Sequence, residues 1–182
     1  MILLLSMALA GGLHSGIPTT GVPGLGEARF LTPQTGWTAP VAGGVVKIYV
    51  GETEADAVDW YERSVGSLTL APVTGAVLGD ASFGDGDGLL GFRDGNVAVM
   101  VRVEHGARGL AETLHAAIVD GAPPPTGATL RPQADGTWRV EGATGTITFR
   151  GGQAVPFVEG QFRVKPEEVV LWDRYGRALV VR

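Results

Sequence analysis

The sequence predicts an α+β fold, an antiparallel sheet with two packed helices followed by a β-meander tail. Three observations predict it. Two apolar runs, at 89–93 and 96–103, flank an Asp94-Gly95 pair, which is the signature of a tight hairpin. Two segments, opening near Thr53 and at Ala107, repeat their apolar residues at helical spacing. Beyond Pro123-Pro124-Pro125, short β-rich runs alternate with glycine-bearing turns to Arg182.

Composition sets the limits of this reading. Of 182 residues, 45% are hydrophobic and 18% charged, enough apolar matter to fill a core. The 29 Gly and 11 Pro make a turn-rich chain of short elements. Net charge is −5 without any run of Lys or Arg, which argues against nucleic acid as a partner. There is no Cys, so disulfides, thiolate zinc sites, iron–sulfur clusters and cysteine nucleophiles are excluded.

The first residues, MILLLSMALAGG, read as an export signal over 1–10. An apolar run is followed by small residues, and Ala8-Leu9-Ala10 fits the pattern of a cleavage site. A positively charged opening is missing, and a short buried strand or helix start is the competing reading. The expected location is periplasmic or secreted. No stretch reaches the roughly 20 apolar residues of a membrane span, so none is expected in the mature chain.

Residues 11–43 form a Pro/Gly-rich extended segment. Pro18, Pro23, Pro33 and Pro40 restrict it to extended and turn conformations. Phe30 and Trp37 should anchor it to the core, while His14 should face solvent. An α+β domain then spans 44–122. Val45-Val46-Lys47-Ile48-Tyr49-Val50 is a strand rich in β-branched residues. Thr53 is positioned to cap a helix running to about Ser64, with Val58, Tyr61 and Val65 on its apolar face. Glu52, Glu54, Asp56, Asp59 and Glu62 make the opposite, solvated face. A strand is expected over 68–72.

Residues 79–102, GDASFGDGDGLLGFRDGNVAVMVR, are the most motif-like stretch. Asp94 is accounted for by the hairpin, whose turn is Asp94-Gly95 or, shifted by one, Gly95-Asn96. Asp80, Asp85 and Asp87 remain. The best calcium-loop register places Phe83 at the first ligand position, where a side-chain oxygen is required, so a mobile surface loop over 82–88 is expected. The second helix should cover 107–119, burying Leu110, Leu114, Ala117 and Ile118. His115 stands three residues from Glu112, a surface-pair spacing, and His105 precedes Gly106. Neither has a second His at metal-binding spacing. A β-rich subdomain follows over 123–182, with Trp138, Phe149, Phe157, Phe162 and Trp172 as its aromatic filling.

The segment 78–119, with L-G-D-A, a Gly-rich loop, F-R-D-G-N-V and then a helix, resembles the sensor-like and lipoprotein-like α+β domains of exported bacterial proteins. It departs from them in lacking a lipid-anchoring Cys and in its all-β tail. The resemblance implies an exported binding or accessory domain and transfers no functional residue.

Two classes of function stay open. The first is a non-catalytic envelope module that engages a protein partner or a small ligand. The second is a hydrolytic or metal-dependent enzyme whose carboxylates, Asp80, Asp85, Asp87 and Glu104, converge only in the fold. No nucleophile elbow, phosphate loop or metal motif is present, so the sequence nominates no catalytic, metal or cofactor-binding residue and no cofactor. A cleft bringing two carboxylates or a His within hydrogen-bonding reach would discriminate between the two classes.

Overall fold

The computed structural model describes residues 12–66, 77–121, 129–141, 147–150, 153–156, 161–162 and 170–179. The expected leader over 1–10 and the expected strand over 68–72 lie outside the described residues. In chain order the elements are β1 (His14–Gly16), β2 (Arg29–Phe30), β3 (Trp37–Val41), β4 (Gly44–Val50), α1 (Glu54–Gly66), β5 (Ala81–Gly84), β6 (Leu89–Asp94), β7 (Val97–Val103), α2 (Ala107–Ala116) and β8 (Val119–Asp120). The tail adds β9 (Thr129–Pro132), β10 (Trp138–Glu141), β11 (Ile147–Arg150), β12 (Gln153–Pro156), β13 (Gln161–Phe162), β14 (Val170–Trp172) and β15 (Ala178–Leu179).

A sheet in the order β2-β3-β4-β7-β6-β5, antiparallel at every step, carries the fold. Because side chains alternate along a strand, each face collects its own set. Val46, Ile48, Val97, Val99, Val101, Leu90 and Phe92 are fully buried on one face, against Ala107, Ala111 and Leu114 of α2. Tyr49, Ala98 and Met100 take the other face, against Ala57 and Trp60 of α1. The two helices therefore cover opposite faces of one antiparallel sheet, an α+β arrangement.

The start of α1 is a reciprocal cap. The Thr53 amide donates to Asp56 Oδ2 at 2.9 Å, and the Asp56 amide donates to Thr53 Oγ1 at 3.3 Å. Its buried face is not the expected Val58, Tyr61 and Val65, which are only half-buried. Ala57 and Trp60 are the buried residues. Trp60 stacks on Tyr49 of β4, ring centroids 5.8 Å apart and nearly coplanar. A buried indole removes more apolar area than a valine, so it sets the rotation of the helix.

The hairpin turn is Gly95-Asn96, since Asp94 pairs with Val97. This is the shifted alternative, and Asn96 explains it. Its amide is buried, accepting from the His14 amide at 2.7 Å and donating to the carbonyls of His14 (3.0 Å) and Gly51 (2.9 Å). Gly95, with φ of +51°, allows the reversal. Helix α2 stops at Ala116, short of the expected residue 119, because Val119–Asp120 pairs with β1 instead.

The extended segment supplies more than anchors. Trp37–Val41 is a full strand of the sheet, and Phe30 and Trp37 are buried. The tail forms two small sheets, β13-β10-β9 and β12-β11-β14-β15. Its hairpins are sequential, but β13 returns to β10 and β14 to β11, so the order is not that of a simple meander. Among the expected aromatic filling, Trp172 belongs to the first core, 5.2 Å from Phe30. Trp37 Nε1 donates to the Tyr175 carbonyl at 3.2 Å, tying the same segment down.

Candidate functional site

The carboxylates singled out in the sequence are committed to separate sets of donors. Asp80 Oδ2 accepts from Arg93 Nη1 and from the Gly95 amide, both at 2.9 Å, near the hairpin turn. Asp85 and Asp87 lie beyond the opposite end of β5. Asp85 Oδ1 accepts from the amides of Asp87, Gly88 and Leu89, each at 2.9 Å. Those bonds, Leu89 foremost, hold its carboxyl below the usual carboxylate range. Asp87 faces His105 Nδ1 at 3.0 Å and accepts from the Gly106 amide at 3.1 Å; the His105 bond leads in holding its carboxyl low. The Glu104 side chain lies beside Gly43. No hydrogen bond joins one of these four carboxylates to another. The loop over 82–88 is also no free loop. Ser82, Phe83 and Gly84 belong to β5, and the carbonyls of Gly86 and Asp87 accept from the first amides of α2. Phe83, which fails as a calcium ligand, is buried over Gly91 and meets Tyr61 edge-on at 5.3 Å.

Two histidines do meet a carboxylate, at the hairpin's turn. Asp94 Oδ1 lies 3.3 Å from His14 Nε2, and Asp94 Oδ2 lies 2.8 Å from His115 Nε2. The far nitrogen of His14 is 3.1 Å from Asp120 Oδ1. His14 is therefore buried, not solvent-facing, and His115 pairs with Asp94 while Glu112 pairs with Arg108. Three segments far apart in sequence converge here, which is why spacing along the chain did not show it. Among the described residues no hydroxyl bonds to either ring, so a nucleophile–base pair is not assembled. Nor, among the described residues, do three or more His, Asp or Glu side chains converge as a metal site. The cluster's geometry is that of a clasp: it ties β1 and the end of α2 to the hairpin.

The concave site lies on the other face. A cavity of about 550 Å³ opens between the second half of α1, the sheet and the loop joining β2 to β3. Trp60 and Met100 form its floor, Leu31, Gln34 and Thr35 one wall, and Lys47, Arg63, Ser64 and Arg102 its polar rim. The register explains the grouping. Lys47 pairs with Met100 across β4 and β7, and Arg102 follows two residues later on the same face. The wall is fixed by a close approach: Gly36, at φ of +76°, lies so near the Ile48 carbonyl that a Cβ would fall 2.1 Å from it.

Comparison with protein-family models, curated proteins and solved structures found no match. The site is therefore read from its own chemistry. Its volume falls within the roughly 300–1,000 Å³ usual for small-ligand pockets, and it combines an apolar floor with a polar, cationic rim. Arg63 is held by Asp59 Oδ2 at 2.7 Å, whereas Lys47 and Arg102 have no hydrogen bond or ion pair among the described residues. A second recess adjoins it, sharing Gln34 and Arg63. Glu52, Asp56, Asp59 and Arg177 line it with Tyr49, whose hydroxyl is pushed up by burial first and by Asp56 next.

No residue of this groove is singled out by the sequence. Lys47 falls inside a β-branched run, Arg102 inside the second run of the hairpin, and Trp60 off the expected apolar face of α1. The available signal was Trp60 three residues after Ala57, which puts an indole on the sheet-facing side of α1.

Proposed function

We propose that the chain is a non-catalytic exported binding module that takes a small ligand in the groove between α1 and the sheet. The observation that carries this reading is the groove itself: a Trp–Met floor beneath Lys47 and Arg102, which have no hydrogen bond or ion pair among the described residues. An indole and a flexible thioether suit an apolar ligand body, and a thioether adapts to its shape. The acid–base alternative rests on Asp80, Asp85, Asp87 and Glu104, and their separate commitments give it no support. Export rests on Ala8-Leu9-Ala10, and cleavage there would leave β1 intact. No helix among the described residues is long and apolar enough to cross a membrane. The resemblance of 78–119 to domains of exported proteins supports the same setting.

Nile red, a neutral dye that brightens in apolar sites, tests the groove. One equivalent should bind, and Met100→Trp, which fills the floor, should abolish binding while melting like the parent. Failure to bind, or binding unchanged by Met100→Trp, contradicts the reading. N-terminal sequencing of protein from its native host tests export: the mature chain should begin at Gly11.

A further inference from the structure

Resting on the groove as ligand site, we infer that its ligand is an anionic amphiphile, a carboxylate- or phosphate-headed molecule with a linear or flat apolar body. Charge is the first ground. Among the described residues the ionisable side chains lining the cavity are Lys47, Arg63 and Arg102, all cationic, in a chain of net charge −5. Arg63 is satisfied by Asp59, so two cations remain. Arg93, Arg108 and Arg177 each face a carboxylate elsewhere in the fold. Among the described residues Lys47 and Arg102, like Arg29 and Arg139, have none; what sets these two apart is that they are diagonal neighbours on adjacent strands. Like charges so placed repel, and an anion between them removes the repulsion. The planar arginine fork fits two oxygens of a carboxylate or phosphate, while the lysine adds a point charge.

Position is the second ground. The cations stand at the exposed rim and Trp60 is buried at the floor, so a ligand must place its charge outward and its apolar body inward. The adjoining recess, which shares Gln34 and Arg63 with the groove, carries Glu52, Asp56 and Asp59 together with Arg177, so its charge is mixed, whereas the groove's rim carries cations alone among the described residues.

Displacement of Nile red by four ten-carbon probes tests this, each kept below its micelle concentration at neutral pH: decanoate, decyl phosphate, decanol and decyltrimethylammonium. At least one of the two anions should displace the dye at a tenfold lower concentration than decanol, and the stronger of the two identifies the head group. The cation should be weakest. Lys47→Gln with Arg102→Gln, both at exposed positions, should erase the preference, read within that variant as the ratio of the decanol concentration to the anion concentration that displaces half the dye. Equal potency of decanol and both anions overturns the inference and leaves the groove standing. A preference that survives the double substitution also overturns it. No dye binding at all removes the groove and the inference together.

Discussion

Asn96 is the residue whose loss should be felt most for its size. It sits at the hairpin turn with no solvent exposure. Its side chain accepts from the His14 amide and donates to two carbonyls, and its own carbonyl accepts from the Gly51 amide at 2.8 Å. It thus joins β1, the end of β4 and the hairpin at one point. Asn96→Ala keeps the backbone bond and removes the three side-chain bonds. Each is worth about 1 kcal/mol net, and the stranded groups of His14 and Gly51 are buried, so the expected loss is about 2–4 kcal/mol. For a chain of this size that corresponds to a fall in Tm on the order of 5–15 °C. Asn96→Asp should cost at least as much. It keeps the acceptor for the His14 amide but sets a carboxylate against two carbonyl oxygens. Urea melts followed by circular dichroism measure both losses. A midpoint for Asn96→Ala within about 0.5 kcal/mol of the parent would refute the three-way joint, because nothing else in the structure would then need that amide.

Three further outcomes are expected. Asp94→Ala should lower stability by about 1–3 kcal/mol and speed amide exchange in His14–Gly16, since Asp94 is the common partner of His14 and His115; unchanged exchange there would rule out the clasp. Asp85 and Asp87 have folded-state carboxyl values below their unfolded ones, so their stabilisation is complete above about pH 4 and is lost as pH falls through the folded values. Tm should therefore drop on acidification below that point, and Asp85→Asn with Asp87→Asn should flatten the drop; parallel profiles would contradict it. Millimolar calcium should leave the Tm of chelator-treated protein unchanged, because Asp85 Oδ1 and both oxygens of Asp87 are already engaged by amides and His105; a rise abolished by the same double substitution would show a calcium site.

The fold was legible wherever local chemistry decides it. The Thr53 cap and the β-branched run of β4 each express a short-range rule, and each stands in the structure. Of the expected α2 face, Leu114 is buried, while Leu110, Ala117 and Ile118 are half-buried and Ala107 and Ala111 take the buried positions. What failed depended on contacts between distant segments. Of the two turns the sequence leaves open, Gly95-Asn96 forms, and the choice is made by the Asn96 amide, which there bridges His14 and Gly51. The end of α2 was overread because the pairing of Val119–Asp120 with β1 is invisible over a helical period. Trp60 overruled the valines of α1 because its partner, Tyr49, lies on another element. The same reason hid both sites. His14, Asp94 and His115 are separated by most of the domain, and Lys47 and Arg102 meet only through the register of β4 against β7. The acidic loop drew attention because its residues are adjacent in sequence, yet each of its carboxylates is occupied within the fold.

Met100 offers the most direct measurement. The chain has three methionines, and Met1 and Met7 both precede the expected cleavage site, so protein lacking the leader carries Met100 as its single methyl-thioether reporter on the groove floor. In a carbon-13 methyl-methionine spectrum titrated with decanoate, that one signal should shift saturably, while the ring signals of His14 and His115 on the opposite side of the sheet stay in place. A Met100 signal that does not move at saturating decanoate, or histidine signals that move in its stead, would contradict the groove as the ligand site.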